Sequence, residues 1–222
     1  FKFSSKTSTT TSLVNPLQTY FPFGPPIGYA KLPKELVNDL NEGCDKIVND
    51  KKLSKSEDWS PNLVGQVEQE LLIPKDIINK WSKWFVTQVR AYVTGDFNQL
   101  YLPEQSIVEA SKEQVLQTIS RTQINVQSAW YVRSFAGDYN PIHTHTACQL
   151  TCVGFLKVPD LSNERKKGGA ERVGSGQVHT KYTPSGALEI LSSTGVNNST
   201  FENDRISFMP KVGNWYLFPS NL

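Results

Sequence analysis

The spacing of apolar residues changes at Arg121, and no other feature of the chain constrains its fold as much. Ahead of that point apolar side chains recur every three or four residues, which gathers them on one side of a helix. Beyond it they come in short runs bounded by Gly, Pro, Asn and Ser, as strands do. Leu36, Val37, Leu40, Cys44, Ile47 and Val48 mark a first helix, with Pro33 suited to its first turn. Ile77, Ile78, Trp81, Trp84, Phe85, Val89 and Tyr92 mark a second over Lys75–Val93, opened by Pro74 and Asp76 and closed at Gly95. Trp81 and Trp84 share that stripe as core residues. Lys51–Pro61 reads as charged turns, and a weaker helix covers Lys112–Ser120.

After Arg121 the pattern predicts strands over Ile124–Phe135 and Ile142–Val158, then shorter ones over Gln177–Tyr182, Ala187–Ser192, Arg205–Met209 and Asn214–Phe218. Helices followed by many short strands give an α+β fold whose second half is a sandwich or barrel. The 222 residues suit one domain. In it residues 1–32 form an extended arm, 33–120 a mainly helical support and 121–222 the β core.

Composition narrows the partners. Lys and Arg total 23 against 21 Asp and Glu, a net charge of +2, and the basic residues are scattered rather than aligned along a nucleic-acid backbone. No apolar run approaches the roughly 18–20 residues of a membrane span. Cys148 and Cys152 on one regular strand would stand about 13 Å apart, too far for a disulfide. These features predict a cytoplasmic protein with neither nucleic-acid nor membrane partners.

Candidate chemistry lies in the histidines, of which the chain has three. His143 and His145 follow the turn Gly137-Asp138-Tyr139-Asn140-Pro141. On a strand, residues i and i+2 share a face about 6.5–7 Å apart, so both imidazoles can reach one ion. Imidazole suits iron, zinc, copper and nickel alike, and two solvated histidines are the plain alternative. His179, beyond a Gly-rich loop, reads as a solvated strand histidine.

The stretch Ala129–His145, with Phe155-Leu156-Lys157-Val158-Pro159 after it, resembles the Fe(II)/2-oxoglutarate-dependent oxygenases, in the prolyl-hydroxylase-like branch found in phage and marine bacterial genomes. The later Pro210-Lys-Val-Gly213-Asn-Trp-Tyr-Leu-Phe218-Pro219-Ser220 resembles that family's second signature. The resemblance covers about the last hundred residues and implies a double-stranded β-helix, or jelly roll, preceded by packing helices. It implies Fe(II) and 2-oxoglutarate as cofactors, and an oxidoreductase (a dioxygenase) that hydroxylates a protein or small-molecule substrate. His143 matches the first metal ligand. His145 falls where most members carry a carboxylate, a departure that leaves more positive charge on the metal. The family's last histidine ligand and the basic residue that binds 2-oxoglutarate are expected beyond Leu222, where the chain stops in mid-motif. Tyr131 and Gln149 are candidates for holding a cosubstrate carboxylate, Gln149 because a regular strand gives it the parity of His143 and His145. Residues 160–176 are a candidate lid or a plain surface insertion. Two other readings stand beside this one. One is a cupin-like metalloprotein that does not use 2-oxoglutarate. The other is a metal-free β-sandwich with a binding or structural role.

Overall fold

The structure, a computed structural model, describes residues 17–20, 26–100, 114, 117–118, 120–135, 137–160, 186–191 and 205–222. His179, most of the candidate lid and the expected strand over residues 177–182 lie outside them. Within them the order is β1 (Gln18–Tyr20), β2 (Ile27–Lys31), α1 (Lys34–Asn49), α2 (Lys51–Ser56), a single 3-10 turn (Ser60–Asn62) and β3 (Gln69–Leu72). Then come α3 (Lys75–Leu100), β4 (Trp130–Arg133), β5 (Leu150–Gly154), β6 (Leu188–Leu191), β7 (Arg205–Phe208) and β8 (Asn214–Pro219). The fold is mixed α+β with antiparallel sheets.

The largest sheet runs β1-β2-β8-β5, every pair antiparallel. β8 sits inside it and is buried on both faces, which explains its unbroken apolar run Trp215-Tyr216-Leu217-Phe218. Alternate residues serve opposite layers. Trp215 and Leu217, with Ala30 of β2 and Leu32 just after it, pack under α1 and α3 against Leu36, Leu40, Trp84 and Tyr92. The Trp84 and Trp215 rings meet edge-on with centres 5.2 Å apart. On the other side Tyr216, Phe218 and Ile27 pack against the β6–β7 ribbon through Ile190, Leu188, Ile206 and Phe208. Each large apolar side chain so buried contributes about 1.5–3 kcal/mol.

The helices follow the apolar stripes. α1 buries Leu36, Val37, Leu40, Cys44 and Ile47, all of them on the predicted face. α3 runs through Gly95 rather than ending there. An internal glycine costs a helix only about 1 kcal/mol, and no proline enforces the stop. α2 lies where turns were expected, because the Asp50 carboxylate caps it by accepting from the amides of Lys52 and Leu53. Residues 114, 117, 118, 120 and 121 are helical, as the third stripe predicts.

The strands differ more. β1 and β2 come from the segment expected to be an arm, and β2 pairs directly with β8. β3 was not anticipated, and β4 and β5 are much shorter than the runs that contain them. A β-prone run becomes a strand only where a partner lies alongside. β5 begins at Leu150, opposite Pro219; one step further the Ser220 amide still donates to the Gln149 carbonyl, but the Ser220 carbonyl accepts from His145 rather than from Gln149, so the regular ladder ends there. Gly213 makes the turn into β8 with φ +82°, a conformation that favours glycine. Its carbonyl accepts from Leu32 and its amide donates to Phe155, which joins β2, β5 and β8 at one corner. Among the described residues no helix is long and apolar enough to cross a membrane.

Candidate functional site

β3 and β4 form a two-stranded ribbon with Gln69 opposite Arg133 and Leu72 opposite Trp130. Alternation gives it two faces. Leu71 and Tyr131 pack on Cys44 and Ile47 of α1, while Glu70, Leu72, Trp130 and Val132 belong to the other face. Beyond β4 the chain turns at Gly137, and the Asp138 carboxylate closes the turn by accepting from Phe135 N–H at 2.9 Å and Glu68 N–H at 3.2 Å. Gln66 and Tyr139 exchange two main-chain hydrogen bonds, so the segment before β3 and the loop after β4 lie side by side. The approach is close at Gly65. A Cβ there would overlap the Asn140 side-chain oxygen and stand 3.1 Å from Glu70 Oε1.

The two histidines lie on the connection from β4 to β5. Residues 141–149 form no strand, which corrects the expectation of a single long β run from Ile142. Ala147 has φ +61°, so a regular alternation of faces cannot persist through the segment. The histidines nonetheless meet. The rings of His143 and His145 have centres 5.0 Å apart and planes inclined at 73°. His143 Nδ1 lies 2.7 Å from the Pro141 carbonyl oxygen; as donor to that oxygen it leaves Nε2 with the lone pair. His145 is half-buried beside Trp130, ring centres 5.9 Å apart. Burial, and after it the charge of His143, hold the His145 pKa below the usual imidazole range, which favours the neutral form that ligates metals. Its amide donates to the Ser220 carbonyl at 2.9 Å, and this seats the loop on the end of β8.

Glu70 supplies a negative group behind the pair. It is only 2 % exposed, and burial pushes its carboxyl pKa up, opposed by the charge of His143. Among the described residues no group of three or more His, Cys, Asp or Glu side chains comes together closely enough to hold a metal ion. The pair therefore offers two nitrogens and no third protein ligand from the described chain. Val132, Phe135, Tyr139 and Ile142 are exposed along the same stretch and give it an apolar rim.

The remaining candidates lie elsewhere. Tyr131 is buried on the α1 side of the ribbon, and its hydroxyl donates to the Cys44 carbonyl at 3.2 Å. It is the neighbouring Trp130, on the opposite face of β4, that lies beside His145. Gln149 is exposed just before β5, where its main-chain carbonyl accepts from Ser220; the shared parity proposed for it fails with the irregular backbone before it. Trp130, Glu70 and Gly65 escaped sequence reasoning. For Trp130 the alternation in Trp-Tyr-Val-Arg was a usable signal. For Glu70 there was none, because its strand is recognisable only from its pairing.

Compared with protein-family models, curated proteins and solved structures, the chain matches none.

Proposed function

We propose that this chain is the double-stranded β-helix of an Fe(II)- and 2-oxoglutarate-dependent oxygenase, a cytoplasmic hydroxylase of a protein or small-molecule substrate. His143 and His145 are two of its iron ligands. One observation carries the reading: two imidazole rings meet edge-on with centres 5.0 Å apart, one with its Nδ1 engaged by a main-chain carbonyl, as metal-bound histidines usually are. The separation fits. Two imidazoles bound at about 2.1 Å to neighbouring positions of one ion have ring centres roughly 4.5–5.5 Å apart, and here they are 5.0 Å apart.

Bound iron would supply the oxidation that couples decarboxylation of 2-oxoglutarate to hydroxylation of substrate. The chain's own residues prepare the site. The Pro141 carbonyl fixes the His143 tautomer, and Trp130 shields one side of His145 and helps keep it neutral. The exposed apolar rim from Val132 to Ile142 offers a surface on which substrate can rest. The free cysteines Cys44, Cys148 and Cys152 fit a reducing compartment.

The test is release of succinate from 2-oxoglutarate by folded, Fe(II)-loaded full-length protein without added substrate. Slow iron-dependent release supports the reading. Metal binding without succinate points to the cupin-like alternative, and a folded protein that retains no metal points to a binding or structural role.

A further inference from the structure

A second polar cluster lies at the opposite end of β8. Lys31 of β2 stands opposite Asn214 of β8, and Tyr29 opposite Tyr216, so all four side chains share the face turned toward the β6–β7 ribbon. Asn214 is their hub. Its Oδ1 accepts from the Lys31 ammonium and, at 3.2 Å, from the Tyr29 hydroxyl. Its Nδ2 donates to the Tyr216 hydroxyl at 3.1 Å. Ser220, which anchors the histidine loop, is six residues further along the chain (220 against 214), about 20 Å at the usual strand rise. The cluster is therefore separate from the imidazole pair and independent of the function proposed for it.

Counting donors and acceptors shows what the cluster lacks. Both lone pairs of Asn214 Oδ1 are occupied. Tyr29 gives its proton to Asn214, whereas Tyr216 receives one from it and keeps its own to donate. The Lys31 ammonium has three protons, one of them used. The described ion pairs are Lys80–Asp39 and Lys157–Asp45, so among the described residues no carboxylate neutralises Lys31. Two ammonium protons, one phenol proton and a full positive charge remain, on a buried Tyr216 and a half-buried Lys31. Burial and the neighbouring Tyr29 push the Tyr216 phenol up, which keeps it a donor. Aromatic rings wall the cluster: Tyr216 has Phe208 at 4.3 Å, Tyr29 at 5.4 Å and Phe155 at 6.4 Å between ring centres. Such walls weaken screening of the charge by water.

We propose that Lys31 and Tyr216, organised by Asn214 and Tyr29, form a binding site for a small oxyanion, a carboxylate or a phosphate. The ammonium supplies the charge and Tyr216 the directed hydrogen bond.

Calorimetric titration of the full chain with acetate and, separately, with inorganic phosphate tests this. Saturable binding of either is expected, and the tighter of the two identifies the headgroup. Lys31→Met should weaken it about tenfold or more, the loss expected for a charged hydrogen bond. Lys31→Arg should retain most of it. Tyr216→Phe, which keeps the ring and its packing, should weaken it several-fold and serves if Lys31→Met fails to fold. Absence of saturable binding of both anions to the wild-type protein overturns the proposal. So does binding that is unchanged in folded Lys31→Met or Tyr216→Phe protein.

Discussion

The amide of His145 donates a hydrogen bond to the carbonyl of Ser220 at 2.9 Å, across the end of the central strand β8. Ser220 returns two bonds to the same loop, from its amide to the Gln149 carbonyl at 3.1 Å and from its hydroxyl to the Cys148 carbonyl at 2.7 Å. The histidine segment has no strand ladder of its own, so these bonds fix its position. His145 is held by its backbone and by Trp130, whereas the His143 ring is exposed, hydrogen-bonded to the Pro141 carbonyl and touching His145.

That asymmetry sets the first prediction. His143→Ala should abolish iron retention, measured by metal analysis after Fe(II) loading and desalting, while circular dichroism and the melting temperature stay close to wild type. Iron content equal to wild type would refute His143 as a ligand.

Gly65→Ala should disturb the site from a distance. The added methyl overlaps the oxygen of the exposed Asn140 side chain, which must swing away, so the cost should fall below the ~1–3 kcal/mol of overpacking a core. Asn140 leads directly into Pro141 and His143, so iron affinity should fall together with stability. Denaturant unfolding and metal titration of the same sample check both.

Glu70 links stability to pH. Its pKa in the folded protein is raised above the ordinary value of 4.5, so between that value and the folded pKa the native state binds more protons than the unfolded state. Stability is therefore highest below about pH 4.5 as far as this group is concerned and declines as pH rises through the folded pKa. Glu70→Gln removes the decline. The metal-free variant should gain melting temperature relative to wild type at pH 7.5 and show no gain at pH 4. An equal difference at both pH values would exclude Glu70 as the source.

Tyr131→Phe should separate packing from cosubstrate binding. It deletes the hydroxyl that donates to the Cys44 carbonyl and keeps the ring in its core cluster. A stability loss of about 1 kcal/mol is expected, with the KM for 2-oxoglutarate unchanged in the succinate assay. A raised KM with unaltered stability would restore Tyr131 as a carboxylate holder.

Much of the helical half was legible in the sequence. A helix satisfies its own backbone hydrogen bonds, so Leu36, Leu40 and Cys44 at helical spacing were enough to define α1, and Ile77, Trp81, Trp84 and Tyr92 to define most of α3. β6, β7 and β8 were legible because turn residues bound short β-prone runs. The His143-Thr144-His145 pair was legible as two ligand-capable side chains too close in sequence to lie far apart.

Only the tertiary structure decided the rest. A strand takes its hydrogen bonds from a partner distant in sequence, so whether Ile27–Lys31 is an arm or an inner strand depends on β8, and whether Ile142–Cys148 is a strand depends on where β8 ends. The same holds for the side chains around the histidines. Glu70, Gly65 and Trp130 come near the pair because two β segments about sixty residues apart in sequence adopt one register (Glu70 against Val132, by subtraction). Sequence determined which groups could ligate; long-range pairing decided which of them meet.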